Sequence, residues 1–248
     1  MFIKFADLEI AMARSYILAL LFVLLMLISS CQQAAQTTQS TLQLANEKCE
    51  KAATQYELDK CYEEHATSNP DYVICDNIQN PVLKDSCYKK VVAAKNDVSG
   101  CEKVQNEFQK DTCYRTLGIA NKNLNTCNSI KSDSVKESCY AGVARLTKDL
   151  AACELIQSSN AKDQCYSSVG RGKVDLSICD MITDQKIKLE CVAVVGAAKK
   201  DFAICDSITD QHFKDECYSG IALMEKDESI CTSIQDPDIK TSCLEQIK

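Results

Sequence analysis

The spacing of the cysteines constrains this chain more tightly than any other feature. From Cys49 to Cys243 the intervals between cysteines alternate between 12 and 14 residues without exception, which gives a 26-residue period in eight copies. A fixed period of this size is typical of proteins built from stacked structural repeats. Cys31 lies outside the series, directly after an apolar segment. The series consists of Cys49, Cys61, Cys75, Cys87, Cys101, Cys113, Cys127, Cys139, Cys153, Cys165, Cys179, Cys191, Cys205, Cys217, Cys231 and Cys243.

The composition favours helices and argues against nucleic-acid binding. The 248 residues include no tryptophan, three prolines and seven glycines, which is poor material for a β-sandwich. The formal net charge is -7, and the charged residues among the first thirty cancel, so the acidic balance belongs to the rest of the chain. Because nucleic-acid binding depends on Lys and Arg neutralising phosphates, we expect no nucleic-acid partner.

The N-terminus predicts export. Residues 16–28 read YILALLFVLLMLI, an uninterrupted apolar run of 13 residues. This is shorter than the roughly 20 residues that a membrane span needs and has the length of the apolar region of a signal peptide. We therefore predict that residues 1–30 are a signal peptide. Translation from Met12 would leave Asp7 and Glu9 out of the positively charged region, so Met12 is an alternative start.

The apolar run leads into Ile28-Ser29-Ser30-Cys31. This sequence resembles the lipobox of bacterial lipoproteins. The resemblance implies that Cys31 is lipidated and becomes the first residue after cleavage, so that the protein is lipid-anchored to the outer face of the cell membrane or to the cell surface. An uncleaved anchor helix is the alternative. Residues 31–40 are rich in Gln, Thr and Ala, which predicts a flexible tether between lipid and body.

Each repeat contains signals for the start of two helices. With the first cysteine of a repeat as position 0, position 5 is always Thr, Asn, Ser or Asp, and position 22 is Asp or Asn in seven repeats. These side chains accept hydrogen bonds from the free amides of a helix's first turn. We therefore predict, in each repeat, a short helix of about two turns and a longer helix of about four turns. Residues 41–248 are predicted to be an all-α solenoid of eight 26-residue helical hairpins.

The apolar positions of the long helix are 8, 12, 13 and 16, the spacing of one buried face. Position 13 is tyrosine in six repeats, which we interpret as core packing rather than a platform for sugars. Two irregularities stand out: Gly170 and Gly172 are expected to weaken the fifth long helix, and Pro70 is expected to end the first.

Helix geometry decides how the cysteines pair. We compare how far each cysteine of a pair lies from the turn between its two helices, measured along the helix axis. For cysteines 12 residues apart these two distances differ by about 3 Å, and for cysteines 14 residues apart they differ by about 9 Å. A disulfide needs Cα atoms roughly 5.5–6 Å apart, so we predict one disulfide within each hairpin. Such bonds persist in an oxidising compartment, in agreement with the export signal.

As a repeat of helix pairs, the arrangement is similar to the tetratricopeptide and Sel1-like class of α-solenoids. The 26-residue unit is shorter than the roughly 34 residues of the tetratricopeptide repeat and lacks its signature residues. The resemblance therefore concerns architecture, and no binding residue is carried over from it.

Position 9 is lysine in seven repeats. The row is either a surface for an anionic polymer or a set of local contacts to neighbouring acids and to the tyrosine, and we favour the local interpretation. The lysine row consists of Lys84, Lys110, Lys136, Lys162, Lys188, Lys214 and Lys240.

The sequence contains no CxxC pair, no CxxCH and no catalytic motif, so we predict no metal site, no cofactor and no enzymatic activity. His65 and His212 are interpreted as ordinary surface residues. The predicted function is a membrane-anchored scaffold or spacer whose partner is another envelope protein. The alternative is a glycan- or polyanion-binding surface protein that uses the lysine row.

Overall fold

The computed structural model describes residues 41–248, which form short and long α-helices in alternation. None of these residues lies in a β-strand. One short and one long helix recur with the 26-residue period, which confirms the predicted all-α fold of repeated hairpins. The predicted signal peptide, Cys31 and the tether lie outside the described residues.

The described chain divides into two compact units. The first ends at Gln105 and contains α1 (residues 41–49), α2 (Gln55–Ser68), α3 (Tyr72–Asp76), α4 (Pro81–Lys95) and a 3-10 helix (Val98–Lys103). Its core combines aliphatic side chains with one disulfide and a tyrosine. The buried residues of this core are Ala45, Ala66, Ile74, Cys75, Ile78, Cys87, Tyr88, Val91 and Val104.

The second unit spans Asn106–Lys248 and repeats the same alternation. Its long helices are α5 (Glu107–Ala120), α7 (Asp133–Thr147), α9 (Ser159–Lys173), α11 (Gln185–Lys199), α13 (Gln211–Glu225) and α15 (Pro237–Ile247). Its short helices are α6 (Leu124–Asn128), α8 (Leu150–Glu154), α10 (Leu176–Cys179), α12 (Phe202–Ser207) and α14 (Glu228–Cys231).

The predicted caps begin the helices. Asp71 accepts the backbone N–H of Val73 at 3.0 Å, and the equivalent Asp or Asn does the same in each later short helix. Seven of the eight long helices have a side-chain cap at position 5; the exception is Ser132, whose Oγ lies 3.2 Å from Oγ of Ser134. A carboxylate or amide cap at this place contributes about 1 kcal/mol per helix.

Six of the eight long helices, α4, α5, α7, α9, α11 and α13, are followed by a left-handed residue that directly precedes the next cap. The left-handed residues have φ between 52 and 58°, and they are Asn96, Lys122, Lys148, Val174, Lys200 and Lys226. In this conformation the following N–H turns back to the helix, as when Asp149 donates to the carbonyl of Ala144 at 3.2 Å. Only two residues separate the long helix from the next short one after α4, α7, α9, α11 and α13, and three do so after α2 and α5.

One detail of the predicted helices is wrong: the short helices are shorter than predicted. The short helices of repeats 2 to 8 have four to six residues, which is little more than one turn, and the third is a 3-10 helix. The fifth long helix, α9, runs unbroken to Lys173. A Cβ on Gly170 would lie 3.3 Å from Sγ of Cys191 and from Ile178, so this glycine permits close packing. As expected, α2 ends before Pro70, at Ser68.

The disulfides have the predicted pairing within hairpins. Seven pairs join cysteines 12 residues apart, with Cα–Cα distances of 5.6 to 6.0 Å. Cys101 and Cys113 are disulfide-bonded as well. Disulfides in this number indicate an oxidising, extracytoplasmic environment. Between residues 41 and 248, no helix has the length and apolar character needed to cross a membrane.

Candidate functional site: the lysine row and the junctions between repeats

The lysine row lies on the inner side of each hairpin. All seven lysines are partly buried. Lys84, Lys162, Lys188 and Lys240 extend from a long helix towards the end of the short helix in the same repeat, and Lys110 lies 3.9 Å from Glu107 of its own helix. The row is therefore not a set of freely projecting side chains.

Four of the seven lysines contact position 1 of their own repeat, at the end of the short helix. Nζ of Lys188 lies 3.0 Å from Oδ1 of Asp180, and Nζ of Lys84 donates to the backbone carbonyl of Asp76 at 2.9 Å. Lys162 is 3.8 Å from Glu154, and Lys240 donates to the carbonyl of Thr232 at 3.1 Å. A cation is favourable at this place, because helix carbonyls are unpaired there and the helix dipole is negative. These contacts agree with the local interpretation of the row.

Of the six tyrosines at position 13, four are buried in the core, and Tyr62 and Tyr218 are partly buried. In the pairs that follow, the tyrosine hydroxyl donates to the short helix of the same repeat. Tyr140 donates to Oδ1 of Asn128 at 2.5 Å, and Tyr218 to Oδ1 of Asp206 at 2.6 Å. Tyr88 and Tyr166 make the equivalent bonds to Asp76 and Glu154. Tyr88, Tyr114, Tyr140 and Tyr166 are at most 7% exposed, which confirms their interpretation as core residues.

These pairs shift the acidity of the phenols. Burial, followed by the bond to Glu154, raises the pKa of Tyr166 to about 12. For Tyr218 the bond to Asp206 has the larger effect, burial adds to it, and the pKa is raised to about 12. Both phenols are thus neutral hydrogen-bond donors at neutral pH.

Acidic residues at position 10 join successive repeats, and the sequence analysis did not single them out. Asp163 shows the arrangement: its carboxylate accepts the backbone N–H of Thr183 at 3.1 Å and that of Asp184 at 2.8 Å, and the hydroxyl of Thr183 at 2.8 Å. The accepting side chain belongs to one long helix, and the donors lie at positions 4 and 5 of the next repeat. We call Asp59, Asp85, Asp111, Glu137, Asp163 and Asp215 the junction carboxylates.

Each junction carboxylate caps the long helix of the next repeat, although it belongs to the preceding repeat. Five of the six are buried, and Glu137 is the one that is not. Burial raises the pKa of Asp163, but the bonds from Asp184 and Thr183 more than compensate, so its pKa lies below the usual value. The same balance lowers the pKa of Asp59, where Gln79 and Asn80 are the donors. Asp59 and Asp163 are therefore ionised at neutral pH, and each holds the repeat that follows it in register.

One junction lacks this carboxylate. Position 10 of the sixth repeat is Leu189, which packs beside the apolar cluster that contains Phe213 and Ile221. Leu189 accepts no hydrogen bond from the backbone of Thr209 and Asp210, the equivalents of Thr183 and Asp184. The contact between α11 and α13 thus depends on apolar packing. The junctions that have a carboxylate combine apolar packing with hydrogen bonds to that carboxylate.

The two histidines have different environments. His212 is exposed, as predicted, with Nε2 3.3 Å from Glu216. His65 is 7% exposed, so its prediction as a surface residue is wrong. It occupies a position of the apolar face of α2 at which the other repeats carry an aliphatic residue, so the sequence did contain a signal for its burial.

The part of the chain that the structure describes contains no cluster of potential metal ligands. Among residues 41–248 no group of three or more His, Cys, Asp or Glu side chains is arranged to hold a metal ion. The predicted lipidation site, Cys31, lies outside these residues.

The site residues therefore fall into two sets with structural roles: lysines and tyrosines that close each hairpin, and carboxylates that join one hairpin to the next. No protein-family model, curated protein or solved structure matches this chain.

Proposed function

We propose that this protein is a lipid-anchored extracytoplasmic scaffold that binds another envelope protein. The disulfides require an oxidising compartment, and the apolar run before Cys31 supplies the export signal that such a compartment demands. The sequence has no catalytic motif, so the proposed role is binding or spacing rather than catalysis.

The observation that carries the binding role is a pair of exposed apolar side chains in the first unit. Tyr56 on α2 is 56% exposed and Val82 on α4 is 77% exposed, and both occupy position 7 of their repeats. In repeats 4 to 8 the same position holds Ser134, Asn160, Lys186, His212 and Asp238. Because α2 and α4 are successive long helices that pack together, position 7 presents neighbouring apolar groups on one face. Such groups contribute to affinity when a partner buries them.

The test replaces this pair. Envelope preparations of cells that express the wild type or the Tyr56→Ser, Val82→Ser double variant would be cross-linked and the captured proteins identified by mass spectrometry. The matched control is Asn160→Ser, at position 7 of the fifth repeat. We expect one partner to be lost in the double variant and kept in the control; the same proteins in all three samples would contradict the proposal.

The lipid anchor is tested separately. With Cys31→Ser, we expect the protein to leave the membrane fraction, whereas the wild type stays there after washing at high salt. A Cys31→Ser protein that stays with the membranes would show that a retained helix is the anchor.

A glycan- or polyanion-binding surface made by the lysine row is the second candidate. Its lysines are partly buried and four contact their own hairpins, so we rank it below the scaffold. It requires retention on an immobilised sulfated polysaccharide that weakens steeply as salt rises. Passage through the column at low salt would exclude it.

A further inference from the structure

Position 16 of the repeat holds an aliphatic residue in every repeat except the first. In repeats 2 to 7 it is at most 4% exposed and is occupied by Val91, Leu117, Val143, Val169, Val195 and Ile221. In the first repeat it is His65, at 7% exposure. An ionisable imidazole thus takes the place that the fold elsewhere gives to Val, Leu or Ile.

His65 is buried without full hydrogen bonding. Its Nε2 has no partner among the described residues. Ala66, the next residue of α2, belongs to the same apolar cluster as Ala45 of α1 and Ile74 of α3. A buried polar atom without a partner costs free energy even when neutral, and a charge there costs more.

Among the charged groups of α1 and α3, none compensates for a proton on His65. On α1, Lys48 repels it. At the start of α3, Asp71 is engaged by the hydroxyl of Thr41 at 2.7 Å and by the amide of Val73. Farther along α3, Asp76 accepts the hydroxyl of Tyr88.

The acidic side chains of α2 accept hydrogen bonds from α4 and from the residues directly before α4. Glu63 accepts bonds from Ser86 at 2.6 Å and from Lys90 at 2.8 Å. Asp59 accepts the amides of Gln79 and Asn80. Burial, and after it Lys48, lowers the pKa of His65 below its ordinary value of about 6.5.

We propose that His65 is a proton-operated switch that releases residues 41–48 from the first hairpin when the surroundings become mildly acidic. Packing of α1 over α2 requires the neutral imidazole, so protonation favours the open arrangement. The Cys49–Cys61 disulfide keeps the end of α1 attached, and opening is confined to the residues before it. The bond from the hydroxyl of Tyr62 to Asn46, at 2.9 Å, breaks in the open state.

The direction of the pH effect follows from linkage. Since the pKa of His65 is lower in the closed state than in the open state, the closed state binds fewer protons. The closed state is fully stable above about pH 6.5 and loses stability as pH falls towards the lowered pKa. For each unit by which the pKa of His65 is lower in the closed state than in the open state, the equilibrium constant for closing falls by up to about tenfold. A histidine titrates in the range that environments outside the cytoplasm reach.

The test is hydrogen exchange of the full protein at about pH 7.5 and about pH 5, with rates corrected for the intrinsic effect of pH. In the wild type, we expect protection of residues 41–48 to fall by at least about tenfold at the lower pH, while α9 keeps its protection. His65→Val, which installs the residue of repeats 2, 4, 5 and 6, should keep α1 protected at both pH values. His212→Gln, at the exposed histidine, should behave as the wild type.

Two results would overturn the switch. One is equal protection of residues 41–48 in the wild type at both pH values. The other is an equal loss of protection in His65→Val. A titration of the imidazole followed by NMR is independent of any variant: a His65 pKa at or above about 6.5 would also reject the proposal.

Discussion

Oδ2 of Asp163 accepts the backbone N–H of Asp184 at 2.8 Å, across 21 residues and from one hairpin to the next. The acceptor lies on a long helix, and the donor is the residue that caps the following long helix. The disulfides close each hairpin by itself, whereas bonds of this kind fix how one hairpin sits on its neighbour. Register between repeats is therefore set by ionised side chains as well as by apolar packing.

Removing one junction carboxylate should loosen one junction. We expect Asp163→Ala to lower the free energy of unfolding by about 2–3 kcal/mol, because two amides and a hydroxyl lose a charged acceptor. The measurement is urea unfolding combined with hydrogen exchange of Thr183 and Asp184. The control is Thr241→Ala at the same position of the last repeat, where Thr241 bonds only to the carbonyl of Pro237 in its own helix. Equal losses for the two variants would contradict the role assigned to Asp163.

Acid should weaken the same junctions in a range well separated from that of His65. The pKa values of Asp59 and Asp163 are lower in the folded state, so their contribution is fully present above the unfolded value of about 3.9 and is lost as pH falls below it. Urea unfolding of the wild type between about pH 5 and pH 2 should show a fall in stability that is smaller in Asp163→Asn. An unchanged pH dependence in this variant would show that Asp163 binds its proton equally in both states.

The junction without a carboxylate should be repairable. We expect Leu189→Asp to slow hydrogen exchange at the amides of Thr209 and Asp210 by about tenfold, because it supplies the acceptor that six other junctions have. Leu189→Ala removes the same packing without adding an acceptor, and it should not slow these amides. If both variants change exchange alike, the missing hydrogen bond is irrelevant to this junction.

Val174 should have the highest conformational strain among the residues with a left-handed backbone. A β-branched side chain is unfavourable at its φ of 56°, where the equivalent residues are lysine or asparagine. Val174→Gly is expected to raise the free energy of unfolding by about 1 kcal/mol. Lys148→Gly, at the same position of the preceding repeat, should gain less, as measured by urea unfolding. A loss of stability in Val174→Gly would mean that the valine side chain contributes more by packing than it costs in strain.

The tyrosine pairs predict a loss of stability at high pH. The pKa of Tyr166 is raised to about 12, so its contribution is complete below about 10 and disappears as pH rises through the folded value. Tyr166→Phe should remove part of the alkaline slope of stability, measured by urea unfolding together with tyrosinate absorbance. An identical slope in this variant would assign the effect to other tyrosines.

The features predicted from the sequence are those with local, periodic signals. Cysteine spacing, the caps at positions 5 and 22 and the stripe of positions 12, 13 and 16 each repeat every 26 residues, and helix geometry converts them directly into hairpins and disulfides. The ends of the short helices were misjudged because a cap marks only where a helix begins. The packing role of Gly170 was not predicted, because it depends on the contact with Cys191, which helix propensity does not contain.

The junction carboxylates escaped prediction because their partners are backbone amides 20 to 21 residues away. Their own signal was present, since an acid recurs at position 10 in six of the eight repeats beside an apolar face. His65 was equally detectable as the one ionisable residue in an aliphatic column. Local periodicity predicts the helical hairpin and the disulfide of each repeat. Departures from this periodicity, such as His65 and Leu189, identify where the repeats differ.

The two-residue connections after the long helices have a consequence for survival outside the cell. Lys148, Lys200 and Lys226 are exposed and are of the type that trypsin-like proteases cut, yet each is followed at once by the capping aspartate of the next helix. Proteases cleave flexible segments that can extend into their active sites, and connections this short cannot extend while both flanking helices stay folded. Cleavage at these lysines therefore requires a hairpin to open first, so digestion is limited by local unfolding. Even after a cut within a hairpin, between its two cysteines, the disulfide would hold the fragments together.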